Sequence, residues 1–273
     1  DAGAVLHDIE KYQVSTMFGA PTMFTMMSQH EAFASTDFSS VISFNVGSAP
    51  VPLPLLNIYA SRGVTFCQGY GLTETSPYVT VLGSKFATIK IGSAGQSLMF
   101  TSVRIVDGRG QTVANGERGE IWIKGPNVMK GYWNRPEATA EAVDEDGWFH
   151  SGDVGYFDDD NFLFICDRIK DMVISGGENI YPAEVESVLF EHSAIAEVAV
   201  IGIPDDKWGE LLVAVVVLHE GTTLDLEELQ GFVGGKLARY KLPRKLHLVD
   251  TLPRNPAGKV QKFILKQQMT EAV

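Results

Sequence analysis

Cysteine is almost absent from this chain. Cys67 and Cys166 are the two thiols among 273 residues, and no Cys-x-x-Cys or other metal-ligand spacing occurs. That excludes a disulfide scaffold and a structural zinc module. Both thiols sit in apolar, strand-like runs, so they are expected to be buried, in a reducing, cytoplasmic compartment. No apolar run approaches the ~20 residues of a membrane-spanning helix, and no signal-like core opens the chain, so no integral membrane segment is expected. Basic residues are in deficit: 22 Lys+Arg against 34 Asp+Glu give a net charge of −12. This weighs against non-specific nucleic-acid binding. Internal repeats and low-complexity segments are missing, and none of the six His pairs with a nucleophile at recognisable spacing. What remains, 45% apolar and 21% charged, is the composition of a globular protein large enough for one large or two ordinary domains.

The charge is unevenly spread. Lys236 to Lys266 holds nine Lys/Arg against one acid, Asp250, whereas residues 169–235 sum to −11. The basic run reads either as a solvated face or as a phosphate-facing surface.

Three rhythms follow one another. Over residues 1–80, Val14–Ala20, Val41–Ser48 and Val64–Tyr70 read as strands, and Thr22–His30 and Pro52–Arg62 as helices. Strand-helix alternation implies a parallel sheet. From 83 to 167 helices are scarce; Ser102–Asp107 and Gly119–Gly125 read as a hairpin about Gly108–Gln111, with Phe162–Asp167 a later strand. After Arg168, Met172–Ser175, Ile195–Ile203, Leu211–Leu218 and Lys245–Val249 read as strands, with helices over Pro182–Glu191 and Leu226–Tyr240. The fold class is therefore α/β and α+β. Part of a parallel α/β layer (1–80) joins a small antiparallel β subdomain (83–167), and a small C-terminal α+β domain (168–273) follows, with the boundary at 167–171.

Four motifs carry candidate chemistry. Gly69-Tyr70-Gly71-Leu72-Thr73-Glu74 follows a strand, where open α/β sheets place ligands. Its glycines permit positive φ and close backbone approach. Tyr70 offers a ring, Thr73 a hydroxyl and Glu74 a hard oxygen for Mg²⁺. A Gly-rich turn with a capping Thr is the plainer reading. Asp153, in Ser151-Gly152-Asp153-Val154-Gly155, could accept two ribose hydroxyls or close an Asx turn. His150 beside it reads as scaffold. Asp167-Arg168-Ile169-Lys170-Asp171 and Ser175-Gly176-Gly177-Glu178 follow, and Lys259 lies in Asn255-Pro256-Ala257-Gly258-Lys259. An ammonium there suits bridging a carboxylate and a phosphate, or is a solvated turn cation.

In this order the motifs resemble the adenylate-forming superfamily of acyl-CoA synthetases, peptide-synthetase adenylation domains and beetle luciferases. The resemblance covers essentially the whole chain. It implies ATP or AMP binding at Gly47, Ser48, Ala49, Gly69, Tyr70, Gly71, Thr73, Asp153, Arg168 and Lys259. Thr73, Glu74 and Lys259 become catalytic, and Glu74 the Mg²⁺ ligand. Lys170 becomes the hinge of a mobile C-terminal lid, and Gly176 and Gly177 line the path of coenzyme A. The implied reaction joins a carboxylic acid to coenzyme A through an acyl-adenylate. The runs Gly125–Trp133 and Ile174–Glu186 look most like the fatty acyl branch. An aryl-CoA ligase is the alternative, and a degenerate nucleotide-binding module the alternative of another class.

One family element is missing: no Ser/Thr/Gly-rich loop ending in Lys cradles the outer phosphates of ATP, since Thr73–Pro77 lacks glycine and Ser84-Lys85 lacks a glycine run. The chain is expected to correspond to the C-terminal half of such an enzyme and to be impaired alone. A cut sheet edge makes a homodimer a further expectation.

Overall fold

The computed structural model describes residues 1–47, 51, 53–255 and 259–271. It divides into two compact units, Asp1–Ile165 and Cys166–Val273.

The first unit opens with a helix that the sequence reading does not anticipate, α1 (Ala2–Lys11), capped by the Asp1 carboxylate, which accepts the Ala4 amide at 2.7 Å. The expected alternation follows as β1 (Thr16–Gly19), α2 (Pro21–Gln29), β2 (Ser43–Val46), α3 (Leu53–Ala60) and β3 (Phe66–Gly71). These three strands pair in parallel. Pro52, read as the opening of α3, lies outside the described residues. Phe24, Phe44, Tyr59 and Phe66 are fully buried, with ring centroids 5.1–6.0 Å apart. The Tyr59 hydroxyl donates to the Phe24 carbonyl at 2.9 Å, and burial raises its pKa. This aromatic cluster, with Phe44 opposite Phe66, fixes β2 and β3 relative to each other.

The chain then reverses into β4 (Tyr78–Leu82), antiparallel to β3. It continues through β5 (Ser93–Ser97), β6 (Ser102–Val106), β7 (Gly119–Lys124), α4 (Pro136–Ala142), β8 (Phe149–Phe157) and β9 (Leu163–Arg168). The antiparallel layer is hydrogen-bonded onto the parallel one, in the order β1-β2-β3-β4-β5-β9-β8-β7-β6. The hairpin of β6 and β7 is present, with Ser102 opposite Lys124 and Val106 opposite Glu120. Its turn is built by Asp107, whose carboxylate accepts the Arg109 and Gln111 amides at 2.9 Å each.

In the second unit come β10 (Val173–Ser175), β11 (Glu178–Ile180), α5 (Pro182–Leu189), β12 (Ile195–Asp205), β13 (Gly209–Leu218), α6 (Leu226–Val233), β14 (Lys245–Leu248) and α7 (Lys262–Glu271). The sheet runs β11-β10-β13-β12, with β14 parallel to β13, so β12 is an edge strand. Period-2 alternation splits the core: Val200, Leu212, Ala214 and Val216 face the layer of α5 and α6, while Ala199, Ile201, Val213 and Val215 face Leu265 of α7. The α6 helix stops at Val233 instead of reaching Tyr240, because Gly234 and Gly235 follow, each costing about 1 kcal/mol in a helix interior. Among the described residues no helix is long and apolar enough to cross a membrane. The two cysteines are half-buried, not buried as expected: Cys67 falls on the less buried face of β3, and Cys166 lies in β9, half-buried throughout beyond Leu163.

Candidate functional site

Strand β3 ends at Gly71, and a short 3₁₀ turn, Thr73–Thr75, follows. Thr75, fully buried, shapes it: its hydroxyl oxygen accepts the Leu72 amide at 2.9 Å and lies 3.0 and 2.9 Å from the carbonyls of Leu72 and Pro77. Ser76 takes the left-handed conformation at φ 56°. The chain thus folds back sharply and leaves Thr73 exposed and Glu74 half-buried.

A second segment pins this turn. Asn127 Nδ2 donates to the carbonyls of Thr75 and Tyr78 at 3.0 and 3.3 Å, the Met129 amide donates to the Glu74 carbonyl at 2.8 Å, and the Tyr132 hydroxyl donates to Glu74 Oε1 at 3.0 Å. Partial burial, and then the Glu74 bond, raise the Tyr132 pKa. Sequence reasoning missed Thr75, Asn127 and Tyr132 as parts of the site. The signal was the run Gly125–Trp133, which reasoning from resemblance used only to choose a branch.

Strand β8 supplies the third element. Asp153 is 6% exposed and accepts the Tyr70 hydroxyl at Oδ2, 2.8 Å away. Its orientation is fixed from behind: the Asp153 amide donates to Ser151 Oγ at 3.1 Å, Ser151 Oγ donates to the Ile121 carbonyl at 2.6 Å, and the Gly152 amide donates to Glu120 Oε1 at 3.0 Å. A carboxylate has about four lone-pair sites on its two oxygens and can accept from several donors at once. His150 stacks on Trp122 with centroids 3.8 Å apart, and its Nε2 lies 3.4 Å from Asp144 Oδ2.

The glycines act differently from the expectation. Neither Gly69 nor Gly71 has positive φ. A Cβ at Gly69 would lie 2.2 Å from the Tyr78 ring, and one at Gly71 1.7 Å from the Pro77 carbonyl oxygen. Both are required by the packing of β4 and its entry against β3. Gly47 follows β2 and is buried, its added Cβ 3.0 Å from Phe18 and 3.7 Å from the Gly69 carbonyl. Ser48 and Ala49, expected beside it, lie outside the described residues.

The structure therefore gathers Gly47, Gly69, Tyr70, Gly71, Thr73, Glu74 and Asp153 on the first unit. The other sequence-derived residues belong to the second. There the Asp167 carboxylate accepts the Arg168 amide at Oδ1 and the Ala183 amide at Oδ2, both at 2.8 Å, which caps α5. Lys170 is exposed in the 3₁₀ turn Ile169–Asp171. Gly176 and Gly177 form the two-residue turn of the β10–β11 hairpin, at φ 62° and 83°. Such a turn needs left-handed backbone at both positions. The Gly176 amide donates to the Trp208 carbonyl at 2.8 Å, and space beyond Gly177 is open. Sequence reasoning singled out these glycines for the path of coenzyme A and did not read the hairpin, although Gly-Gly between two short runs is a hairpin signal. Lys259 is exposed, on a turn closed by the Lys259 amide to Asn255 Oδ1 and the Asn255 amide to the Lys259 carbonyl, each 2.9 Å; Pro256, Ala257 and Gly258 lie outside the described residues.

Four of the nine cations of the basic run are held in ion pairs within the second unit. Lys236, Lys241, Arg254 and Lys262 pair with Glu191, Glu184, Glu197 and Glu186 at 2.5–2.7 Å. Its complement is the acidic stretch before it.

Residues 1–133 match the model of the AMP-binding enzyme family, and residues 184–259 that of the AMP-binding enzyme C-terminal domain. The chain belongs to the AMP-binding enzyme family. It is 49% identical over 262 residues to a feruloyl-CoA synthase of an Amycolatopsis species, covering 96% of this chain and 53% of that protein. It is 44% identical over 273 residues to the long-chain-fatty-acid–CoA ligase FadD13 of Mycobacterium tuberculosis, covering all of this chain and 54% of that one. The o-succinylbenzoate CoA synthetase MenE of Bacillus subtilis, solved with its acyl-adenylate intermediate, superposes with a TM-score of 0.88 at 39% identity, over 98% of this chain and 53% of that one. The chain spans about half the length of these relatives.

Proposed function

We propose that the protein carrying this chain is an ATP-dependent acid–CoA ligase. The observation that carries the reading is the Tyr70–Asp153 pair, a buried carboxylate aimed beside the Thr73–Glu74 turn in a chain of this family. In the first step a substrate carboxylate oxygen attacks the α-phosphorus of ATP and pyrophosphate leaves. In the second the thiol of coenzyme A attacks the acyl carbon, loses its proton to solvent, and AMP leaves.

Each residue has a part in this proposal. Asp153 accepts the ribose hydroxyls, and Tyr70 holds Asp153 in place. Thr73 presents its hydroxyl to the α-phosphate, with Gly47, Gly69 and Gly71 beside the nucleotide; Ser48 and Ala49, to which the resemblance extends the same role, lie outside the described residues. Among the described residues no cluster of three His, Cys, Asp or Glu could hold a metal. Glu74 alone suits Mg²⁺, which takes one or two carboxylates and completes its shell with phosphate and water. Bound there, the ion would supply neutralisation of phosphate charge, and Tyr132 keeps the Glu74 carboxylate oriented. Lys259 places an ammonium between the attacking carboxylate and the α-phosphate, with Arg168 on the ribose and phosphate. Lys170 is the hinge of the C-terminal lid, and Gly176 and Gly177 face the pantetheine arm.

The runs Gly125–Trp133 and Ile174–Glu186 favour a fatty acid as substrate. The 49% identity to a feruloyl-CoA synthase favours an aryl acid as the second reading. Lacking a loop for the outer phosphates, the chain by itself binds adenylates better than it turns over ATP. Self-association is supported by the exposed Phe18 on the edge strand β1, and a cytoplasmic site by the scarcity of cysteine, two in 273 residues. The test is calorimetric titration with AMP and with non-hydrolysable fatty acyl-AMP and aroyl-AMP analogues. Saturable binding, tighter for the fatty acyl analogue, is expected. Tighter binding of the aroyl analogue would replace the substrate class. A folded chain that binds no adenylate would overturn the reading.

A further inference from the structure

Glu186 stands at a junction that the proposed chemistry does not use. Strand β12 is the edge of its sheet, so amides on its outer side have no strand partner. The outward amide of Val200 is satisfied by Glu186 Oε1 at 2.7 Å, from helix α5. The same oxygen accepts Lys262 Nζ at 2.7 Å. Because α5 and α7 cover opposite faces of the sheet, this one oxygen ties both helical layers together around the strand edge. The pair is well sheltered, with side chains 21% and 15% exposed. Burial raises the Glu186 pKa, and Lys262 partly offsets the shift. Breaking such a pair from one side strands the other charge.

Lys262 is also the first residue of α7, three positions beyond Lys259. The turn that carries Lys259 has two stems. On one, Arg254 pairs with Glu197 of β12 at 2.6 Å, with side chains 39% and 41% exposed. On the other, Val260 bridges to Arg254, the Gln261 amide donates to the Pro253 carbonyl at 2.8 Å, and Lys262 follows on Glu186. Both stems are thus pinned to the same edge strand, at Glu197 and at Val200 through Glu186. An exposed ion pair holds little, while the sheltered one resists. The first turn of α5 is in turn anchored by Asp167 through the Ala183 amide.

We propose that Glu186 is a positioning residue for Lys259: through Lys262 it fixes the stem from which Lys259 projects and so sets the lysine for adenylate formation. The catalytic half of this proposal rests on the reading of Lys259 as the adenylation lysine; the clamp itself does not.

The test is amide hydrogen exchange on the chain, comparing wild type with Glu186→Gln, Lys262→Met and the conservative Lys262→Arg. In Glu186→Gln and Lys262→Met, exchange at Lys259 and Gln261 should rise at least tenfold, with β13 unchanged and Lys262→Arg close to wild type. Unchanged exchange at Lys259, or a rise shared equally by β13, would overturn the clamp. Should Glu186→Gln fail to fold, the two Lys262 variants decide. The second readout is made in the protein carrying the chain. Lys262→Met should slow adenylate formation at least tenfold and leave thioester formation from supplied acyl-adenylate within twofold. If exchange responds as expected but neither Lys262→Met nor Lys259→Ala slows adenylate formation, the catalytic half is overturned. If Lys259→Ala abolishes it while exchange is unmoved in Lys262→Met, the clamp fails and the reading of Lys259 stands.

Discussion

Replacing Asp153 by Asn separates charge from shape. The side chain is 6% exposed and receives the Tyr70 hydroxyl at 2.8 Å; an Asn oxygen can still accept that bond, so the local fold is retained. What disappears is the charge that strengthens bonds from ribose hydroxyls. Hydrogen bonds to a charged group are worth about 1.5–3 kcal/mol, and loss of that charge predicts roughly 10- to 150-fold weaker AMP binding. Calorimetry measures the affinity, and thermal unfolding checks that the variant folds. A chemical control sharpens the test: 2′,3′-dideoxy-AMP should bind wild type as weakly as AMP binds Asp153→Asn, and lose little more on the variant. An Asn variant that binds AMP as tightly as wild type would refute the ribose assignment.

Other outcomes follow from single contacts. Tyr132→Phe removes the hydroxyl that orients Glu74 at 3.0 Å and is expected to weaken Mg²⁺-dependent nucleotide binding about 3- to 10-fold, with binding measured in the absence of Mg²⁺ unchanged. Gly71→Ala would set a Cβ 1.7 Å from the Pro77 carbonyl oxygen and is expected to destabilise the first unit by about 2–4 kcal/mol in denaturant titration; a shift under about 0.5 kcal/mol would sink the packing argument. Burial, partly offset by Lys262, raises the Glu186 pKa. Its contribution to stability is then fully present below the unfolded value and lost as pH rises through the folded one. Unfolding free energy should depend less on pH in Glu186→Gln over that window, and identical slopes would contradict it.

The alternation of residues 14–70 announced β1–α2–β2–α3–β3, because apolar runs at two periods with short connections leave few other arrangements. The hairpin of β6 and β7 was equally legible from Asp107 and its glycines. Helix α6 was read too long, since apolar spacing continues past Gly234 and Gly235 although their backbone cost ends the helix. Helices α1, α4 and α7 went unread. Position also hid most of the site's architecture. Tyr132 meets Glu74 from 58 residues away, and Tyr70 meets Asp153 from 83; no periodicity carries such pairings. Gly69 and Gly71 show the opposite case, where the residues were singled out correctly as special but for the wrong cause. Their lack of a side chain answers to Tyr78 and Pro77, which a reading by φ preference alone does not see.

The central proposal is that the protein carrying this chain is an acid–CoA ligase working through an acyl-adenylate, with Lys259 acting in one of the two steps. It is tested most directly by measuring the half-reactions separately in the protein that carries it, with Lys259→Ala beside wild type. The account predicts that the variant loses acid-dependent pyrophosphate release by at least 100-fold, about 2.7 kcal/mol or more of transition-state stabilisation, and still converts supplied acyl-adenylate and coenzyme A into thioester. Undiminished pyrophosphate release by Lys259→Ala, or equal loss of both half-reactions, would contradict it.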